Sequence, residues 1–135
     1  MATNILAIPL VQITAQTSNN EDWIDSIKYI VEDVGPEEDW PQLDLRGISF
    51  EMELRRTQDD HEVVISASTE DSRLLIGGPP DYGFLIISIP VADMKLVTDG
   101  DYVGDIVARA DGHARVAVQI GLTVIEGITK WPSPA

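Results

Sequence analysis

The most regular feature of the sequence is the alternation of apolar and polar residues between positions 43 and 56, LDLRGISFEMELRR. Ile48, Phe50, Met52 and Leu54 share one parity, and serine, glutamate or arginine stands between them. Because successive side chains of a β-strand point to opposite faces of its sheet, this period of two predicts a strand with one buried and one hydrated face. A shift by one residue would bury the charged set, so the register is strongly specified.

A second alternation begins at residue 115, in RVAVQIGLTV. Val116, Val118 and Ile120 share one parity, and the same argument predicts that they face the core. Two sheets of this kind, packed face to face about 10 Å apart, would close one hydrophobic core.

Turn sequences divide the rest of the chain into short segments rich in valine, isoleucine and threonine. VGPEEDWPQ, GGPPDYG, TDGD and ADGH are turn sequences because glycine allows positive φ and proline fixes φ. This punctuation predicts an all-β chain, folded as an Ig-like antiparallel β-sandwich of about eight short strands. The expected strands span residues 5 to 15, 23 to 32, 47 to 56, 62 to 68, 73 to 76, 83 to 89, 102 to 110 and 114 to 125.

One segment is compatible with two structures. EDWIDSIKYIVEDV places Trp23, Ile27 and Ile30 at helical spacing, whereas its IKYIV portion is β-branched and aromatic, which favours a strand. We expect a strand, with a helix as the alternative. VADMKLV, after Pro90, predicts a single helical turn.

No internal repeat or linker divides the chain, so we expect one β-sandwich domain over residues 23–135. Residues 1–22 are expected to form an N-terminal strand or a docking arm. The apolar run ILAIPLVQI in this segment lacks a basic flank and is far shorter than the roughly 20 residues that span a bilayer. We therefore expect neither a signal peptide nor a membrane span.

The charge of the chain restricts its partners. Nine basic and 23 acidic residues give a net charge of −14, which repels phosphate backbones and anionic membranes. We therefore expect neither nucleic acid nor a membrane as a partner. The absence of cysteine excludes a disulfide framework and a thiolate metal site, and fits synthesis in a reducing cytoplasm.

Candidate catalytic and metal-binding residues are few. His61 and His113 stand beside turn sequences, outside any recognisable catalytic motif. Asp99, Asp101 and Asp105 surround a glycine, but their spacing does not match a calcium-binding loop. We expect no enzymatic activity, no catalytic residues, no cofactor and no metal.

Two tryptophans are candidate contact residues. Trp40 lies in a loop and Trp131 lies in the C-terminal sequence ITKWPSPA. Exposed aromatic rings stack on sugars, so these residues support the alternative of a carbohydrate-binding module. The favoured interpretation is that Trp23 packs in the core while Trp40 and Trp131 cover its ends or a partner surface.

Three stretches resemble the small β-sandwich domain at the N-terminus of phage baseplate upper proteins and in related tail and fibre-adaptor proteins. These stretches are LDLRGISFEMELRR, GFLIISIPVADMKLVTDGDYVGDIVARADG and VAVQIGLTVIEGITK. In that family an Asp-Leu-x-Gly turn leads into an amphipathic strand, a later strand carries Gly-x-Tyr-x-x-Asp, and the chain closes on a glycine-bounded strand. The matching residues here are Asp44, Leu45 and Gly47; Gly100, Tyr102 and Asp105; and Gly121, Gly127 and Thr129.

The resemblance implies a non-enzymatic virion protein that acts through protein–protein contacts. It implies a tail, baseplate or fibre-attachment component, with a capsid-surface decoration or head-fibre protein as the alternative. The chain departs from the family pattern at Ile128, where valine is usual, and it ends at Ala135, which implies the attachment module alone. The expected partners are other virion proteins and further copies of the chain, and the expected location is the virion after synthesis in the host cytoplasm. We also expect at least one terminus to dock on a neighbouring subunit.

Overall fold

The computed structural model describes residues 5–31 and 33–128, and within them the chain forms two β-sheets and one helical turn. Ile5–Ala7 and Glu37–Asp39 form short 3₁₀ turns, and α1 spans Val91–Met94. The strands are β1 (Val11–Ser18), β2 (Trp23–Lys28), β3 (Ser49–Arg55), β4 (Ile65–Ser68), β5 (Leu74–Ile76), β6 (Phe84–Ile89), β7 (Gly100–Ala110) and β8 (His113–Ile125).

The two sheets have the strand order of an immunoglobulin-type sandwich. The larger sheet runs β1-β8-β7-β3-β4 and the smaller sheet runs β2-β6-β5. The second order matches strands B, E and D of that fold, and β8-β7-β3-β4 matches G, F, C and C′. All pairs are antiparallel except β1 with β8, which are parallel. The predicted all-β, Ig-like sandwich is therefore confirmed.

The structure decides between the local alternatives left open by the sequence. Trp23–Lys28 is a strand, which excludes the helical alternative, and α1 confirms the predicted turn after Pro90. The first strand begins at Val11 and not near residue 5, because Pro9 has no N–H to give to a ladder. The part of residues 1–22 that forms β1 is an edge strand of the larger sheet, and the domain boundary at residue 22 stays a prediction.

The predicted inner face of β3 is confirmed. Ile48 is 4% exposed, and Phe50, Met52 and Leu54 are at most 1% exposed. These side chains belong to one core that also contains the inner residues of β6, namely Leu85, Ile87 and Ile89. Burial of each such side chain stabilises the fold by roughly 1.5 to 3 kcal/mol.

The predicted inner face of β8 is wrong at one position. Ile106 pairs with Val118 and Val107 pairs with Val116, so Ala117 is an extra residue in the β7–β8 ladder. This β-bulge reverses the parity, with Val116 left 37% exposed and Ala117 fully buried. Val118 and Ile120 lie in the core as predicted.

Tyr29, immediately after β2, connects the two sheets through the core. Its side chain is 1% exposed, and its hydroxyl donates a hydrogen bond to the Ala117 carbonyl at 2.9 Å. Its backbone N–H donates to Gly83 at 2.8 Å, and its carbonyl accepts from Leu43 at 3.0 Å. The tyrosine thus satisfies a carbonyl at the bulge, where the regular ladder is interrupted.

Candidate functional site

Trp40 lies in the loop between β2 and β3 and is half-buried. Its indole N–H donates a hydrogen bond to the Gly35 carbonyl at 3.2 Å. With Lys28, Pro80 and Tyr82 it lines a shallow cleft of about 380 Å³. Trp131, the other predicted contact residue, lies outside the described residues.

An arginine covers one ring at this cleft. The Arg46 guanidinium lies 3.8 Å from the centre of the Tyr82 ring, and its Nη2 is 2.7 Å from Asp44 Oδ2. Hydrogen bonds from Arg46 lower the pKa of Asp44 to about 2, so the carboxylate stays charged in mild acid. Because Arg46 occupies this face of Tyr82, Trp40 is the better candidate for stacking on a ligand at this cleft.

The residues considered for catalysis and metal binding do not converge. His61 is in the loop between β3 and β4, and His113 begins β8, with both side chains exposed. Asp101 and Asp105 lie four residues apart on β7, about 13 Å along the strand. In the described part of the chain, no group of three or more His, Cys, Asp or Glu residues could hold a metal ion.

A polar row crosses the outward face of the larger sheet. Strand register aligns Gln12, Gln119, Asp105, Glu53 and Ser66 on five neighbouring strands. Gln12 donates to Gln119 at 2.9 Å. The row borders an open cleft of about 580 Å³, in which the exposed side of Gly121 leaves a space that no side chain fills.

The outward face of the smaller sheet is apolar. Ile24 on β2 is 64% exposed and Leu75 on β5 is 40% exposed. Phe84 and Ile86 on β6 point to the same side, because Ile86 pairs with Leu75 and alternates with the buried Leu85 and Ile87. Exposed apolar surface of this kind is common at protein–protein contacts.

One long edge of the larger sheet is unpaired. Within residues 5–31 and 33–128, β1 pairs with β8 on one side and with no strand on the other. A groove of about 380 Å³ separates its free side from β2, and is lined by residues 13–16 and 25–27. Free strand edges bind other chains by backbone hydrogen bonds, so this groove is the strongest candidate for a functional site.

The sequence contained a signal for this edge that strand prediction alone did not use. Residues 1–20 include no Asp, Glu, Lys, Arg or His, although the chain has 23 acidic residues. This charge-free stretch includes the whole of β1, so the strand at the free edge carries no charged side chain.

The helices give no sign of a membrane span. In the stretches that the structure describes, no helix is long and apolar enough to cross a bilayer.

Comparison with known proteins leaves the family open. No protein-family model matches the sequence, and no curated protein matches it. Among solved structures, the chain is similar to CopC from Methylosinus trichosporium OB3b, with 14% identity and a TM-score of 0.36 over 61% of this chain and 67% of that one. We draw no conclusion about function from a likeness at this level.

Proposed function

We propose that this chain is a non-enzymatic interaction module that assembles with other proteins of a phage virion. The free edge of β1 carries the interaction part of the proposal. It is an eight-residue strand with one side open to a groove, and an added strand would find N–H and C=O groups there. The apolar outward face of the smaller sheet supplies a second surface suited to protein contacts.

The virion part rests on the resemblance to phage baseplate and fibre-adaptor domains. The Asp-Leu-x-Gly motif lies in a tight turn, where Asp44 Oδ1 accepts a hydrogen bond from the Arg46 N–H at 3.0 Å. Gly47 follows with a φ of 84°, a conformation that favours glycine, and Leu45 is fully buried. The turn therefore leads into β3 as the family pattern requires, which supports the resemblance.

The proposed position in the virion rests on the resemblance and on the net charge. The resemblance favours a tail, baseplate or fibre-attachment component, with a capsid-surface decoration or head-fibre protein as the alternative. A net charge of −14 would keep the protein away from packaged DNA, which supports a place on the outside of the particle.

Purification of intact particles tests this proposal. Particles from a lysate of the host are banded by density, and the proteins of the band are quantified by mass spectrometry. We expect the chain in the particle band at a constant ratio to the other structural proteins, and cryo-electron microscopy would then locate it. Recovery of the chain in the soluble fraction alone would contradict the virion assignment.

A glycan-binding module is the second candidate, and the cleft beside Trp40 favours it. The cleft places the indole next to Lys28, Gln42 and Asp44, which are groups that hydrogen-bond sugar hydroxyls. A glycan array followed by fluorescence titration tests it, with Trp40→Ala and Trp131→Ala as matched variants. Saturable binding that Trp40→Ala removes would support this function, whereas an unresponsive array would count against it.

A further inference from the structure

The free edge of β1 lacks the usual protection against strand pairing. Natural edge strands carry a charge, a proline or a bulge, or they are very short. Val11–Ser18 has eight residues, contains no charge and no proline, and pairs with β8 in an unbroken register. By contrast β4, the opposite edge of the same sheet, has four residues.

Alternation identifies the backbone groups that face the groove. The Asn19 N–H donates to Ile125 on β8 at 3.1 Å, so the odd-numbered residues of β1 are bonded to β8. The N–H and C=O groups of Gln12, Thr14 and Gln16 therefore point to the free side. Ser18 fits this assignment, because its N–H faces away from β8 and donates to Glu21 Oε1 at 3.0 Å.

The distribution of charge favours a second copy of this chain as the occupant of the groove. A two-fold contact brings the same surface of both molecules together, so an acidic surface on a protein of net charge −14 would repel its own copy. β1 itself carries no charge, and Asp25, which lines the opposite wall of the groove, accepts a hydrogen bond from the Trp23 indole N–H at 2.6 Å. The edge of β1 is therefore the surface on which two copies approach with the least repulsion. Pairing would also cover Ile13 and Ala15, which pack on the core and remain partly exposed in the groove.

We propose that β1 pairs with β1 of a second copy, antiparallel and centred on Thr14, so that the larger sheets of two molecules form one continuous sheet. Thr14 then lies opposite its own copy and Gln12 lies opposite Gln16 of the second molecule. The three residues whose N–H and C=O groups point to the free side of β1 form about six backbone hydrogen bonds across the interface. This inference rests on the proposed interaction function and names its surface and its partner.

The association state of the full chain is the first measurement. Sedimentation equilibrium over a range of concentrations is expected to show a species of twice the monomer mass of 14.8 kDa. Because the two acidic molecules repel each other while β1 carries no charge, added salt is expected to lower the dimer dissociation constant. A monomer at every concentration, or an association weakened by salt, would overturn the inference.

Two variants of Thr14 locate the interface. Thr14 is exposed, so Thr14→Asp leaves the monomer folded but sets like charges opposite each other, and Thr14→Pro removes an N–H that faces the groove. Each is expected to raise the dimer dissociation constant by about ten-fold or more. Ser66→Asp is the matched control, an exposed position on the opposite edge strand. Equal effects of Thr14→Asp and Ser66→Asp would contradict the assigned edge.

Cysteine substitution tests the register, since the natural chain has no cysteine. Residues paired across the interface have Cα atoms about 5.5 Å apart, within the roughly 4.4 to 6.8 Å that a disulfide spans. Under mild oxidation Thr14→Cys is expected to cross-link to itself, and Gln12→Cys to cross-link to Gln16→Cys in a mixture. Ser66→Cys is expected to stay uncross-linked. Efficient self-cross-linking of Gln12→Cys would instead indicate another register and refute the Thr14-centred pairing.

The two proposals fail separately. If the chain bands with particles but remains a monomer, virion assembly stands and the second-copy pairing is wrong. If the dimer forms but the chain is absent from particles, the pairing stands and the virion assignment is wrong. Loss of dimer in Thr14→Asp together with unchanged recovery in particles would show that other surfaces attach the protein to the virion.

Discussion

At the scale of single residues, Tyr29 both fills part of the core and satisfies a buried backbone carbonyl. Its hydroxyl satisfies the carbonyl of Ala117, and burial raises the pKa of Tyr29 to about 12. We expect Tyr29→Phe to lower the free energy of unfolding at neutral pH by about 1 to 3 kcal/mol, because it leaves a buried carbonyl unsatisfied. Nothing in the local sequence predicted this bond, because the bulge that creates it lies 88 residues away.

The pH dependence of that difference follows from the direction of the pKa shift. A raised pKa means that the stabilising contribution of Tyr29 is complete below its unfolded value near 10, and is lost as pH rises toward 12. The difference in unfolding free energy between wild type and Tyr29→Phe is therefore expected to shrink between pH 10 and 12. Urea titrations of both proteins at each pH measure it, and a difference that stays constant would contradict the buried hydroxyl.

Phe50 and Glu51 test the two faces of β3 at neighbouring residues. Phe50 is 1% exposed, so Phe50→Ala is expected to cost about 3 to 5 kcal/mol through lost burial and a residual cavity. The Glu51 side chain is 55% exposed and lies 3.9 Å from Arg109, so Glu51→Ala is expected to cost at most about 1 kcal/mol. Denaturant midpoints of the two variants measure the contrast, and equal midpoints would refute the assignment of the faces.

At the scale of elements, the contact between β3 and β7 depends on a close approach of backbones. A Cβ added at Gly104 would lie 2.0 Å from the Glu53 carbonyl oxygen, whereas one added at Gly121 would meet nothing within 4 Å. We expect Gly104→Ala to destabilise the fold by about 1 to 3 kcal/mol or more, because the strands must separate. Gly121→Ala, on the neighbouring strand, is the control and is expected to be neutral or slightly stabilising. Comparable thermal midpoints for the two variants would show that β3 and β7 are less closely packed.

The elements also show what the sequence could and could not predict. The alternation in β3 was sufficient to predict the strand and its buried face, because the apolar residues from Ile48 to Leu54 all fall on one parity. The partners of β3 in the sheet came only from the structure. The alternation in β8 predicted the strand but misplaced Val116, since a bulge is a property of two paired strands and leaves no mark in one of them. Similarly, the sequence shows that β1 carries no charge, but only the sheet order shows that one of its sides is unpaired.

At the scale of the whole molecule, charge is distributed unevenly, and this unevenness connects stability with association. Twenty-three acidic residues repel one another across a fold of this size, while β1 carries no charge. Screening of that repulsion lowers the cost of folding, and it also lowers the cost of bringing two negative molecules together at an uncharged edge. Salt is therefore expected to strengthen folding and pairing alike, and the two effects must be measured apart.

The Thr14→Pro variant separates them, since it weakens pairing and leaves the net charge at −14. It is studied at a protein concentration below its raised dimer dissociation constant, where it is monomeric. Between about 10 mM and about 300 mM NaCl the Debye length falls from about 30 Å to about 6 Å, so most long-range repulsion disappears. We expect the thermal midpoint of the monomeric variant to rise by several degrees over this range, measured by calorimetry. KCl should act equally, because screening does not depend on which monovalent cation is used. The thermal midpoint of the wild-type protein should rise more than that of the variant. This difference should grow with protein concentration, since dimer formation stabilises the folded state. An equal rise in both proteins would mean that salt acts on folding alone and that β1 is not where the copies meet.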